Sequence, residues 1–158
     1  MPVKSRKRKS GRRIPRKVPA LSRPMSEAAF KTIAIAYRMA LNGFTSGYGS
    51  EQLWVTLADA LNISRALCMN GVLAEEEPSV IAAQVAVIKC RYRFEAIGKW
   101  GLSGDEVVAC RGVMDVLDEQ FRTSTVGFLN EVIRLINRRI ANGDTMEFKG
   151  EVEKCTQK

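Results

Sequence analysis

Between residues 27 and 142 the apolar side chains recur at steps of three and four, and polar punctuation interrupts the pattern at regular places. Phe30, Ile33, Tyr37, Leu41 and Phe44 follow a Ser26-Glu27 start and run to Asn42-Gly43. Leu53, Trp54, Leu57, Leu61, Ser64 and Leu67 follow Ser50-Glu51 and run to Asn70-Gly71. This is the period of helices that bury one face, with serine caps and acids at the starts and glycines past the ends. The pattern predicts a first helix over 27–42 and a second from Ser50 to Asn70, joined by the turn "TSGYGS".

The acidic connection "LAEEEPS" ends at Pro78, which fits a first helical turn because its missing N–H has no partner to lose there. A third helix is expected from there to about Trp100, with Ile81, Val85, Ile88, Tyr92 and Glu95-Ala96 facing inward and Lys89, Arg91, Arg93 and Lys99 mostly outside. "LSGDEV" (102–107) then carries the clearest local signal, a capping box in which Ser103 and Glu106 each satisfy a free backbone N–H. From Asp105 the apolar pattern continues through Val107, Cys110, Met114, Leu117, Phe121, Phe128, Val132, Ile136 and Ile140. The β-branched residues and glycine of "TSTVG" (123–127) predict a kink or break in it.

These expectations describe an all-α, compact bundle of four or five helices over residues 25–143. Its expected core is Phe30, Ile33, Tyr37, Leu57, Leu61, Ile81, Val85, Ile88, Leu117, Phe121, Val132 and Ile136. Residues 144–158 offer only Met146, Phe148 and Val152 as anchors and are expected to fray.

The remaining segment, residues 1–24, has a different chemistry. It holds ten cations and no acid: Lys4, Arg6, Lys7, Arg8, Lys9, Arg12, Arg13, Arg16, Lys17 and Arg23. The chain as a whole has 25 Lys+Arg against 17 Asp+Glu. Once the arm is set aside, 15 cations face those 17 acids, so the basic character belongs to the arm. So many like charges with few large apolar groups cannot repay the entropy of ordering, and the arm is expected to be disordered.

Such an arm can neutralise phosphates and release counterions, giving sequence-independent affinity for DNA or RNA. Arginine supplies six of the ten cations and matches phosphate geometry better than lysine does, which favours nucleic acid. A solubilising tail, or a cluster that docks on acidic lipid or an acidic protein groove, uses the same letters. A second basic group lies in "RLINRRIANG", where Arg134 and Arg138 share one helical face and could clamp phosphate. Cations in the last turns of a helix also complement its dipole without any ligand. "KCRYRF" (89–94) interleaves Arg91 and Arg93 with Tyr92 and Phe94 and could stack on bases if exposed, but the expected phase buries Tyr92.

Other chemistries find little support. The chain has no histidine, so the Glu-x-x-His element of a di-metal bundle is missing. The carboxylates of "AEEEP" and of Asp105, Glu106, Asp115, Asp118 and Glu119 are what helix starts favour in any case. "TSGYGS" lacks the Gly-Lys-Ser/Thr of a phosphate-cradling loop, and "NGFTSGYGSEQL" is too long for the turn of a helix-turn-helix. Cys68, Cys90, Cys110 and Cys155 form no close pair and read as reduced thiols, which fits a cytoplasmic setting. No stretch approaches the length of a membrane span, and the arm's prolines argue against an amphipathic transit helix. The expectation is therefore a non-enzymatic protein that needs no cofactor.

The proline-interrupted arm "RKRKSGRRIPRKVPALSRPM", followed by a helical body with "LSGDEV" at the start of its last long helix, resembles small accessory proteins encoded in bacteriophages and prophages. The resemblance implies a bacterial cytosol and a role around phage DNA or against a host system. Two functions stay open: a nucleic-acid-binding accessory protein, or a protein-interaction module such as a phage-encoded inhibitor of a host nucleic-acid-handling enzyme.

Overall fold

The computed structural model describes residues 22–143. The arm cations from Lys4 to Lys17 and the tail 144–158 lie outside the described residues; Arg23 lies within them. The order is α1 (Glu27–Thr45), α2 (Glu51–Met69), a short 3-10 turn (Ala74–Glu76), α3 (Glu77–Ile97), α4 (Gly104–Gly112), α5 (Met114–Thr123) and α6 (Val126–Ala141). Only Val113 separates α4 from α5, and its backbone stays in the helical region (φ −97°, ψ −1°). Counted as one interrupted rod, the pair makes this an all-α bundle of five helices.

Local sequence explains most of the boundaries. Ser26, Ser50 and Ser103 cap α1, α2 and α4, each side chain accepting a backbone N–H from three residues on. At α4 the full capping box forms, with Glu106 Oε2 accepting the Ser103 N–H at 2.7 Å. Gly71 (φ +88°) and Gly98 (φ +68°) take left-handed conformations past the ends of α2 and α3, which an L side chain would resist.

Several expectations are corrected. Helix α1 passes through Asn42-Gly43 and ends at Thr45; Gly43 is helical and serves instead for close approach, since a Cβ there would overlap Leu53 Cδ1 of α2. Helix α3 stops at Ile97, three residues short of Trp100, because Gly98 supplies the terminator. Its inner face is also rotated. The buried residues are Val80, Ala83, Gln84, Ala86, Val87 and Cys90; Ile81, Val85 and Ile88 are only half-buried, and Tyr92, Glu95 and Ala96 are exposed. The small side chains of Ala83, Ala86 and Cys90 let α3 approach its neighbours closely, and that approach sets the phase. The break in the last long segment falls at Ser124–Thr125, within the expected stretch, and a second falls at Val113.

Phe30, Tyr37, Leu57, Leu61, Leu117, Phe121 and Val132 are buried as expected, while Ile33 and Ile136 pack on the core from its edge. The Tyr37 and Phe121 rings stack with centroids 6.2 Å apart. At the bundle centre Ser64 and Gln120, both fully buried, satisfy one another.

Candidate nucleic-acid interface

Thr125 lies in extended conformation between α5 and α6, and its hydroxyl accepts the Phe128 N–H at 3.3 Å, which starts α6. The root of the arm is fastened to the same place. The Val126 N–H donates to the Arg23 carbonyl at 3.0 Å, and Pro24 forms an antiparallel bridge with Thr125. One of the first free N–H groups of α6 is thus satisfied by the chain leaving the arm.

From that anchor α6 carries its own cations outward. Arg134 and Arg138 are exposed and one turn apart, and Arg139 is exposed beside them. At 1.5 Å per residue, Arg134 lies about 12 Å and Arg138 about 18 Å along the helix from the arm's attachment. Helical spacing in the sequence puts Arg134 and Arg138 on one face, and α6 carries them in that arrangement. The arm cations from Lys4 to Lys17 lie outside the described residues.

The arginines of α6 differ from most others in the bundle. Arg38 binds Asp118 at 2.6 Å and Asp115 at 3.3 Å, Arg65 binds Glu77 at 3.5 Å, and Arg91 binds Glu95 at 2.8 Å and Glu51 at 3.0 Å. Arg93 meets both oxygens of Glu106 at 2.9 and 3.0 Å and also donates to the Gly101 carbonyl. Hydrogen bonds to these carboxylates raise the pKa values of Arg38, Arg91 and Arg93 above the ordinary arginine range. Among the described residues no carboxylate pairs with Arg134, Arg138 or Arg139.

The "KCRYRF" stretch is divided by the structure. Arg91 lies over the rings of Trp54 and Trp100, each centroid 5.6 Å away, and over Phe94 at 6.0 Å. Phe94 and Trp100 stack at 4.2 Å, and Trp54 Nε1 donates to the Val87 carbonyl at 2.8 Å. Arg91 and Arg93 are therefore joints of the fold. Tyr92, expected to be buried, is instead 46% exposed and open to a ligand. The alanines and cysteine on the opposite side of α3 were the signal that could have revealed it.

Helix α6 also leaves apolar surface open. Leu129 and Val132 are buried, whereas Ile133, Leu135 and Ile140 are exposed among the arginines. No helix among the described residues is long and apolar enough to cross a membrane. No known protein family matches the chain, and neither a curated protein nor a solved structure matches it significantly.

Proposed function

We propose that this chain is a non-enzymatic nucleic-acid-binding accessory protein whose arm binds the phosphate backbone, with Arg134 and Arg138 of α6 as a second point of attachment. One observation carries the reading. Arg23, at the end of the arm sequence, accepts a hydrogen bond from the first residue of the helix whose arginines pair with no carboxylate among the described residues. Phosphate contacts of this kind give affinity and orientation without reading bases. The arm's resemblance to phage-encoded accessory proteins supports a bacterial, cytoplasmic setting.

The test is a titration of full-length protein and of a variant lacking residues 1–24 against labelled duplex DNA and RNA at several salt concentrations. If roughly six arm cations meet phosphates, the log–log salt slope on DNA is about −5, with little dependence on sequence. Truncation removes most of that slope. Absence of binding at low salt defeats the proposal.

A second reading, a protein-interaction module such as a phage-encoded inhibitor, draws support from Ile133, Leu135 and Ile140 exposed beside the arginines. Such a protein keeps its affinity for the target after truncation and loses mainly association rate, because steering is what remote charge supplies. Pull-down from a bacterial host with and without nuclease separates the two.

A further inference from the structure

Where α2 ends and α5 meets α6, a cleft of about 490 Å³ opens on the surface, within the roughly 300–1,000 Å³ range of small-ligand sites. Val72, Leu73 and Phe128 supply apolar wall, and Glu119, Thr123 and Ser124 supply polar groups. Ser124 is only 4% exposed, yet its hydroxyl has no hydrogen-bond partner among the described residues. A buried hydroxyl in that state favours an occupant that bonds to it.

The hydrogen bonds already made around the cleft decide what that occupant can be. The Gly71 N–H donates to the Cys68 carbonyl at 2.9 Å, and the Val72 N–H to the Leu67 carbonyl at 3.0 Å. The Ser124 N–H donates to the Gln120 carbonyl at 3.1 Å, and the Thr125 hydroxyl takes the Phe128 N–H. The Thr123 hydroxyl spends its proton on the Glu119 carbonyl at 2.7 Å. With these donors committed, the capacity left on the wall is mainly that of acceptors. The Glu119 carboxylate is exposed, has no ion-pair partner among the described residues, and only accepts when ionised. No lysine or arginine among the described residues lines the cleft. An anion such as phosphate would meet a like charge here, whereas a cation rich in N–H groups meets a carboxylate and two hydroxyl oxygens.

We propose that this cleft binds a small primary amine carried on an apolar body, with the ammonium between Glu119 and Ser124 and the body against Val72, Leu73 and Phe128. The inference goes beyond the nucleic-acid reading and stands independently of it, since neither the arm nor the arginines of α6 take part.

An NMR titration of the full-length protein with phenethylamine tests it, with 2-phenylethanol and 3-phenylpropanoate as neutral and anionic relatives of the same body. The expected result is saturable binding with a Kd on the order of 1 mM, as a ligand this small allows, and amide shifts gathered at residues 71–73 and 123–128. The alcohol should bind about fivefold more weakly, the upper worth of a solvent-facing ion pair, and the anion more weakly still. Glu119→Gln should bring amine and alcohol to equal affinity, and Ser124→Ala should weaken the amine severalfold, both with helicity retained. A titration without saturable shifts at these residues overturns the proposal. So does an alcohol that binds as tightly as the amine, or a preference for the amine that survives Glu119→Gln. Unchanged affinity in Ser124→Ala overturns the placement of the ammonium at that hydroxyl.

Discussion

Ser64 and Gln120 bind each other twice in the middle of an otherwise apolar core. The Ser64 hydroxyl donates to Gln120 Oε1 at 2.6 Å, and Gln120 Nε2 donates to the Ser64 carbonyl at 3.2 Å. The same amide reaches the Val72 carbonyl and Cys68 Sγ, each at 3.1 Å, tying α5 to the C-terminal end of α2 and the turn after it. Replacing Gln120 with leucine keeps much of the volume but strands the Ser64 hydroxyl and the Val72 carbonyl. A loss of about 3 kcal/mol is expected from urea unfolding, since each stranded buried group costs roughly 1–3 kcal/mol. A loss below half of that would mean the pair is not what holds α5 on α2.

The capping box gives a smaller and more local effect. Ser103→Ala should cost about 1 kcal/mol by freeing the Glu106 N–H at the start of α4. Glu106→Gln preserves the cap, because glutamine can fill the same position, but removes the charge facing Arg93. Its cost should shrink as salt is added, whereas that of Ser103→Ala should not. Urea midpoints at low and high salt check both.

Alkali should weaken the fold through its buried acids. Burial raises the pKa values of Cys68 and Cys90 above the ordinary 9 and pushes that of Cys110 up to about 12. Burial, and then the hydrogen bond to Asp118, raises that of Tyr37 above the ordinary 10. The neutral forms are favoured in the fold, so their contribution is full below about pH 9. It falls as pH rises further, because the unfolded chain ionises first. The urea midpoint should hold from pH 7 to 8.5 and drop by pH 10.5, and Tyr37→Phe should flatten the part of the decline above pH 10. A flat midpoint across that range would contradict the burial of these groups.

The same thiols should be chemically quiet in the native protein. Cys68, Cys90 and Cys110 are buried and unpaired with one another. Iodoacetamide at pH 8 should modify them only after denaturant is added, and a reducing agent should leave their part of the thermal transition unchanged. Rapid modification of any of the three, read by peptide mass, would contradict the packing.

On α6, Arg134→Ala with Arg138→Ala should weaken DNA binding about equally for different sequences. The steepness of the salt slope should fall by about 2, one for each arginine that no longer neutralises a phosphate. An unchanged slope would remove α6 from the interface.

How far the sequence reveals such a chain depends on how strongly each segment sets its own phase. Helix α1 does so clearly, because Phe30, Tyr37, Leu41 and Phe44 stand against polar or small neighbours. Helix α3 does not. From Val80 to Cys90 it is apolar on nearly every side, and the choice of face is made by how closely Ala83, Ala86 and Cys90 allow other helices to come. The break at Val113 directly follows Gly112, whose low helix propensity is the local signal for it. Of the candidate site, the pair Arg134 and Arg138 was legible from helical spacing alone. The i,i+4 spacing of Arg91 and Glu95 was visible too, but the pairing of Arg91 with Glu51 and of Arg93 with Glu106 was not, because those acids are brought to them only by folding.

The bridge between Pro24 and Thr125 also decides where a load is felt. Tension passed along the chain to Arg23 and Pro24 reaches the bundle at the start of α6. If the proposed polyanion is drawn in by the arm, its pull is passed to the body at that one peptide hydrogen bond, and α6 is the helix that takes it first.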